Sequence, residues 1–132
     1  MIDHTGINVT DLPRALAFYE QALAPLGYSV RLRLGDVAVG LGAVRDAKSG
    51  DDPGGDFWLS HGTPQTPRVH VAFRADSHAE VIAFHEAALA AGGVDNGAPG
   101  YRPHYHPHYF AAFVLDPDGY NIEAVCHKSA GF

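Results

Sequence analysis

The sequence has little of what marks several large classes of protein. It contains a single cysteine, Cys126, so no disulfide can form within the chain, which is typical of a protein of the reducing cytoplasm. No apolar run approaches the roughly 20 residues that a transmembrane helix needs. No charged-then-apolar leader opens the chain either. We therefore expect a cytoplasmic protein with no membrane partner.

Positive charge is also scarce. Nine Lys and Arg stand against 15 Asp and Glu, which gives a formal net charge of −6, and the basic residues form no cluster. Proteins that bind nucleic acid neutralise its phosphates with Lys and Arg. We therefore expect no nucleic-acid partner.

Histidine, by contrast, is abundant, with nine among 132 residues. The hydrophobic fraction of 46% and the charged fraction of 18% are ordinary for a soluble globular protein. The length suits one domain with a single core, and we take residues 1–132 as that domain. The histidines suggest a metal site but do not establish one.

The chain repeats itself at an offset of 66 residues (70 − 4 = 66). Each copy opens with an apolar stretch that carries a histidine, His4 or His70, and continues into an amphipathic helix. The helical sequences FYEQALAPLG (18–27) and FHEAALAAGG (84–93) share Phe, Glu, Ala, Leu and Gly at equivalent places. A repeat of this length predicts two copies of one unit, with a histidine at the same place in each.

The first copy, residues 1–60, predicts a β-α-β-β-β order. Thr10 or Asp11 can cap the helix, which ends at Gly27, and Gly35-Asp36 suits a hairpin turn. Alternating apolar residues predict the strands. The predicted strands are 2–9, 28–34, 37–44 and 55–60, with a charged, glycine-rich surface loop at 45–55.

The second copy, residues 69–127, follows a linker at 61–68 and predicts the same order. Ser77 and Glu80 form a capping box at the start of its helix. Residues 94–109 show no regular pattern, so we expect a short second strand that a histidine-rich loop partly replaces. The other predicted segments are strands 69–75, 110–115 and 120–126, with a turn at 116–119. The fold class is therefore α+β, with two βαβββ modules forming a curved mixed sheet.

Two histidines and one glutamate fall on the strand face that points away from the helices. If Ile2 and Val71 face the helices, His4 and His70 face the opposite side, and so does Glu123 in the last strand. Two imidazoles and a carboxylate make a metal site with open coordination positions, which suits Fe(II), Mn(II), Zn(II) or Ni(II). Alternatively, each histidine is an ordinary core or surface residue. A buried carboxylate, however, needs a cation or hydrogen-bond partners.

Three motifs resemble the vicinal oxygen chelate superfamily. They are D-H-T-G-I-N-V-T-D (3–11), the helix sequence F-Y-E (18–20) and D-P-D-G-Y-N-I-E-A-V (116–125). The superfamily includes glyoxalase I, extradiol dioxygenases, fosfomycin-resistance transferases and bleomycin-resistance proteins. The resemblance implies a concave metal cleft with ligands at His4, His70 and Glu123. It also implies a fourth ligand place within 56–60, which Phe57, Trp58 or Leu59 would occupy without binding metal.

The resemblance also implies a class of function. With one carboxylate place lost, the 2-His-1-Glu set is that of a divalent-metal-dependent, dioxygenase-like enzyme acting on a small substrate that chelates through oxygen. The alternatives are a glyoxalase-I-like lyase or isomerase, and a metal-free binding protein of the bleomycin-resistance type. A homodimer is implied. The modules could pair within one chain or be exchanged between two chains.

The histidine-rich loop, residues 101–109, carries further candidates. It could close over the metal site as a lid, with His106, His108 or Tyr109 as the catalytic acid or base. Tyr109 is the first choice because it adjoins a predicted strand. His104 and His106 could instead form a separate metal-binding tract, or the loop could simply cover the sheet edge.

Overall fold

The first module forms in the predicted order in the computed structural model, which describes residues 1–43 and 53–129. The Asp11 carboxylate caps the first helix by accepting a hydrogen bond from the Arg14 N–H at 3.1 Å. A 3₁₀ turn, Ala24–Leu26, extends that helix as far as Gly27, whose positive φ of 86° ends it. The elements are β1 (Thr5–Val9), α1 (Leu12–Leu23), β2 (Tyr28–Leu34), β3 (Ala38–Ala43) and β4 (Phe57–His61).

The second module repeats the order. Its helix is capped by Ser77, whose hydroxyl accepts the Glu80 N–H at 3.1 Å. The Glu80 carboxylate reaches back to the Asp76 N–H at 3.3 Å, so the predicted capping box forms with its return bond displaced by one residue. The elements are β5 (His70–Arg74), α2 (His78–Ala90), β6 (Val94–Tyr101), β7 (Phe110–Leu115) and β8 (Asn121–Cys126).

Each module builds a four-stranded mixed sheet. The strand orders are β1-β4-β3-β2 and β5-β8-β7-β6, with β1 parallel to β4 and β5 parallel to β8. The remaining pairs are antiparallel. Between the described residues, no strand ladder joins the two sheets. The predicted α+β fold class with two repeated modules is confirmed.

Both helices lie on the same side of the sheets and contact each other, so the modules share one core. The ring of Phe57 in β4 meets the ring of Phe73 in β5 edge-on, with centroids 5.1 Å apart. Cys126 is fully buried in this core, as a small apolar side chain would be. Each sheet thus has a packed face and a face turned away from the helices, here called its open face.

Two predicted boundaries are wrong. β1 begins at Thr5 and not at residue 2, so His4 precedes the strand. Residues 94–101, where a short or partly replaced strand was expected, form the eight-residue strand β6. The register of β6 shifts on both sides of Gly97, which breaks the alternation from which strands are predicted. Pro99 is tolerated because β6 is an edge strand. Of the predicted loop at 45–55, residues 45–52 lie outside the described residues.

A buried hydrogen bond ties the modules together. The Tyr19 hydroxyl on α1 donates to Oδ2 of Asp116 in the β7–β8 turn. Oδ1 of Asp116 accepts the N–H groups of Asp118 and Tyr120, each at 2.9 Å. Burial raises the pKa of Asp116, while these hydrogen bonds act in the opposite direction. Burial, with Asp116 second, raises the pKa of Tyr19 well above its usual value, so the phenol remains a donor.

None of the described helices is both long enough and apolar enough to span a membrane.

We expect Tyr19→Phe to lower the free energy of unfolding by about 1–3 kcal/mol, since it leaves the buried Asp116 carboxylate without its donor. Urea denaturation followed by circular dichroism measures this. Tyr105→Phe is the matched control, because Tyr105 is 60% exposed. Equal midpoints for Tyr19→Phe and the wild type would contradict this account.

Candidate functional site

Strand β8 presents Glu123 on the open face of the second sheet. Ile122 and Ala124, its neighbours in sequence, both belong to the core, so Glu123 points the opposite way. The register sets it between Ala72 of β5 and Phe113 of β7. Although it lies on this face, the residue is only 2% exposed. Its carboxylate therefore requires partners.

Two side chains supply those partners. Oε1 of Glu123 lies 2.8 Å from Nε2 of His70, the first residue of β5. Oε2 accepts a hydrogen bond from the hydroxyl of Tyr109, which lies just before β7. The structure thus brings together three of the predicted site residues, from two strands and the loop.

The hydrogen bonds of His70 constrain its tautomer. Nδ1 lies 2.7 Å from the carbonyl oxygen of Asn121, which can only accept, so Nδ1 carries the proton. In the neutral ring, Nε2 then presents a lone pair to the Glu123 carboxylate. Two acceptors 2.8 Å apart need a proton or a cation between them. A histidine held through Nδ1–H with a free Nε2 is also the usual arrangement of a metal ligand.

Tyr109 is held as a neutral phenol that donates a hydrogen bond. Burial, followed by the hydrogen bond to Glu123, raises the pKa of its phenol. It therefore stays protonated at neutral pH. Its position is set by the loop, in which the Arg102 N–H donates to the Tyr109 carbonyl at 2.7 Å.

His106 and His127 form a pair behind Tyr109. Nδ1 of His106 accepts the His108 N–H at 3.1 Å, so the proton of the neutral His106 ring sits on Nε2. That nitrogen lies 2.9 Å from Nδ1 of His127, which accepts. Both rings stand edge-on to Tyr109, with centroids 5.4 and 5.3 Å away. The pair therefore joins the loop to the end of β8 beside the phenol.

The remaining histidine candidates have contacts with other residues. His4 is exposed and its Nδ1 lies 2.7 Å from Oδ1 of Asp3. The His108 side chain is exposed, and its ring centroid lies 6.5 Å from that of His106. His104 contacts Tyr105, with ring centroids 4.2 Å apart. In residues 1–43 and 53–129, no three His, Cys, Asp or Glu side chains are grouped to hold a metal ion.

The strand register identifies which residue of the first module corresponds to Glu123. Gly6 pairs with Trp58, and Ala72, its equivalent 66 residues later, pairs with Glu123. Of the three predicted occupants, Trp58 therefore takes the carboxylate's place. Its indole covers Gly40, where an added Cβ would come within 2.8 Å of the ring. The open face of the first sheet is thus apolar where that of the second is acidic.

A cleft of about 620 Å³ lies elsewhere, between α1 and the β2–β3 turn. It is lined by Leu16, Glu20, Arg33 and His61, among others, and contains none of the predicted site residues. His70, by contrast, has 45% of its side chain exposed. The candidate site is therefore an open surface that a second surface could cover.

A family model for the Glyoxalase/Bleomycin resistance protein/Dioxygenase superfamily matches residues 1–124. The chain belongs to this superfamily. It is the vicinal oxygen chelate superfamily that the sequence motifs resemble. No curated protein sequence matches the chain.

Solved structures of the superfamily share the fold. A glyoxalase/bleomycin resistance protein from Albidiferax ferrireducens is similar with a TM-score of 0.75 and 24% identity, covering 96% of this chain and 98% of that one. A glyoxalase-related enzyme from Fulvimarina pelagi has a TM-score of 0.70 and 18% identity, and the match covers 100% of this chain and 95% of that one. Lactoylglutathione lyase from Agrobacterium tumefaciens has a TM-score of 0.66 and 21% identity, and the match covers 100% of this chain and 97% of that one. At these identities the similarity establishes the fold alone.

Sequence reasoning missed three residues around the site. His127 contacts the loop through His106, Phe113 lies beside Glu123, and the guanidinium of Arg102 lies over the Phe113 ring. The strand sequence FAAFVL (110–115) is apolar throughout, so it gave no sign that Phe113 lies on the open face. Nothing in the sequence pattern indicated the other two.

We expect His127→Phe to loosen the loop, because it removes the acceptor of the His106 hydrogen bond and keeps the ring. Amide hydrogen exchange in residues 102–109 should quicken roughly fivefold, as the loss of about 1 kcal/mol implies. His104→Phe is the control, since His104 is exposed. Unchanged exchange in His127→Phe would show that the pair does not hold the loop.

Proposed function

We propose that the protein is a divalent-metal-dependent enzyme with dioxygenase-like chemistry on a small substrate that chelates through oxygen. His70 and Glu123 are two of the ligands, and His4 is the third. The observation that supports this most is that His70 Nε2 lies 2.8 Å from an oxygen of the buried Glu123 carboxylate, while Nδ1 is held by the Asn121 carbonyl. These two atoms would hold a divalent cation, and imidazole with carboxylate suits Fe, Mn, Zn or Ni.

We further propose that His4 comes from a second copy of the chain, in a homodimer. Within one chain, the described residues do not gather His4 with His70 and Glu123 into a metal-binding group. His4 lies on an exposed segment that precedes β1, and β1 and β5 are both edge strands. Exposed strand edges favour pairing with another chain. The proposed partner would also cover the open face around His70.

The side chains of the site suit substrate activation. When bound, the metal would act as a Lewis acid that polarises the substrate oxygens. His70 is held by the Asn121 carbonyl and so keeps a fixed direction. Tyr109, kept protonated by burial and by Glu123, would donate a proton to a substrate oxygen near Oε2 of Glu123. His106 would position Tyr109 through the loop.

Trp58 favours dioxygenase-like over glyoxalase-like chemistry. Isomerisation of the glyoxalase I type uses a carboxylate in each module, one of them as the base toward a C–H bond. The register gives the second carboxylate's place to Trp58. A lyase remains the second candidate, and a metal-free binding protein the third. We place the protein in the cytoplasm, since its one cysteine is a buried thiol.

We expect His70→Ala and Glu123→Gln each to weaken metal binding at least roughly tenfold. Mutating a residue that merely hydrogen-bonds to a metal ligand already lowers the metal affinity by about that factor. Metal analysis and titration of the untagged protein measure this. His61→Ala is the control, since His61 is an exposed histidine at the end of β4. If the wild-type protein has no affinity for divalent metal ions, the proposal of a metal-dependent enzyme is wrong.

Mixing tests the shared site. His4→Ala and Glu123→Gln should each abolish strong binding alone, while dissociating and mixing the two variants should restore one intact site per mixed dimer. No recovery in mixed dimers would place all the ligands within one chain.

Loaded with Fe(II), the protein should consume oxygen with catechols, and Tyr109→Phe should slow it by roughly 10²–10⁴, the usual contribution of a proton donor. An oxygen electrode measures this, with the exposed Tyr105→Phe as the control. Metal binding without oxygen consumption across a broad catechol panel would favour the lyase.

A further inference from the structure

Arg102 is held in a fixed position on the open face of the second sheet. Its Nη1 and Nη2 donate to the carbonyls of Gly100 and Ala98, each at 2.8 Å. Its Cζ lies 5.3 Å from the centroid of the Phe113 ring, within the range of a cation–π contact. Three contacts with separate groups fix a side chain that is otherwise among the most flexible.

Two glycines make room for this guanidinium. A Cβ at Gly97 would lie 3.2 Å from Nη2 of Arg102 and 2.9 Å from Cδ1 of Phe113. A Cβ at Gly100 would lie 3.3 Å from Nη1. Almost any side chain at Gly97 would therefore displace the guanidinium from the ring.

The charge of Arg102 is not neutralised by the protein. Its polar contacts are neutral carbonyls, and no carboxylate among residues 1–43 and 53–129 forms an ion pair with it. A guanidinium has five N–H donors in a planar fork, and the two carbonyls engage two of them. The remaining donors can bind an anion, and a carboxylate matches the fork best.

This cation lies next to the candidate metal centre. Phe113, which it covers, is the direct cross-strand neighbour of Glu123. The same ring is stacked with His70, with centroids 6.2 Å apart. The main chain of Arg102 also bonds to Tyr109. One aromatic ring thus separates a fixed positive charge from the proposed ligands.

We propose that Arg102 binds the carboxylate of the substrate, so that the enzyme prefers oxygen-chelating substrates that also carry a carboxylate over neutral diols such as catechol. The carboxylate lies over the edge of Phe113, and the chelating oxygens reach His70 and Glu123. The placing of the chelating oxygens rests on the proposed function. The binding of a carboxylate by Arg102 does not, because it requires no metal.

Calorimetric titration of the protein under anaerobic conditions tests this, with catechol, 3,4-dihydroxybenzoate and benzoate as probes. The wild type should bind dihydroxybenzoate roughly ten- to hundredfold more tightly than catechol, the value of a hydrogen-bonded charge. Arg102→Gln should abolish that difference and leave catechol binding unchanged. Arg102→Lys, which keeps the charge without the fork, should retain part of it. Arg14→Gln is the control, on the exposed side of α1.

The outcomes separate the two proposals. Equal binding of dihydroxybenzoate and catechol by the wild type overturns the role of Arg102 and leaves the metal enzyme standing. So does an Arg102→Gln variant that weakens both probes equally, which indicates a structural role. If the protein holds no metal but binds benzoate in an Arg102-dependent manner, the role of Arg102 stands and the metal enzyme fails. If no carboxylate binds measurably, the role of Arg102 is wrong.

Discussion

The buried carboxylate of Glu123 is the constraint around which the second module is arranged. An unpaired charge at 2% exposure would cost several kcal/mol, so each oxygen must meet a donor or a cation. His70 is directed to one oxygen by the Asn121 carbonyl, and Tyr109 is directed to the other by its loop. Groups from an edge strand, the last strand and the loop therefore meet at one side chain. An imidazole and a buried carboxylate thus meet at one point, and the proposed cation site rests on this arrangement.

The two modules carry different side chains at the position that Glu123 occupies in the second. In the first module, Trp58 takes the place of Glu123 and lies on Gly40, which has no side chain to obstruct the indole. In the second, Glu123 has Phe113 beside it and polar partners at both oxygens. The two open faces therefore differ in chemistry although their backbones correspond. A cleft made from one face of each kind would be apolar on one wall and acidic and basic on the other, which suits a small substrate with one polar end.

How far the site could be predicted depended on the range of the interactions involved. Alternation placed Glu123 on the open face, because its neighbours in sequence are apolar, and the repeat paired His70 with His4 as equivalents. The residue of the first module that is equivalent to Glu123 could not be chosen from the sequence. The offset of 66 points to residue 57, and only the ladder between distant strands points to Trp58. Strand β6 is longer than expected, because its two register shifts hide the period of two in the sequence. The role of Arg102 had no signal in the residue pattern, because the contacts that hold it depend on the bulged backbone of β6 and on the Phe113 ring of the neighbouring strand.

The loop at 101–109, for which a lid was one interpretation, is held in place at both ends and in its middle. Its two ends are hydrogen-bonded to each other, so Arg102 at one end and Tyr109 at the other are held on the same face of one sheet. Its middle is held to the end of β8 by the hydrogen bond between His106 and His127. The placing of Tyr109 beside Glu123 therefore depends on contacts at both ends and in the middle of a single short loop.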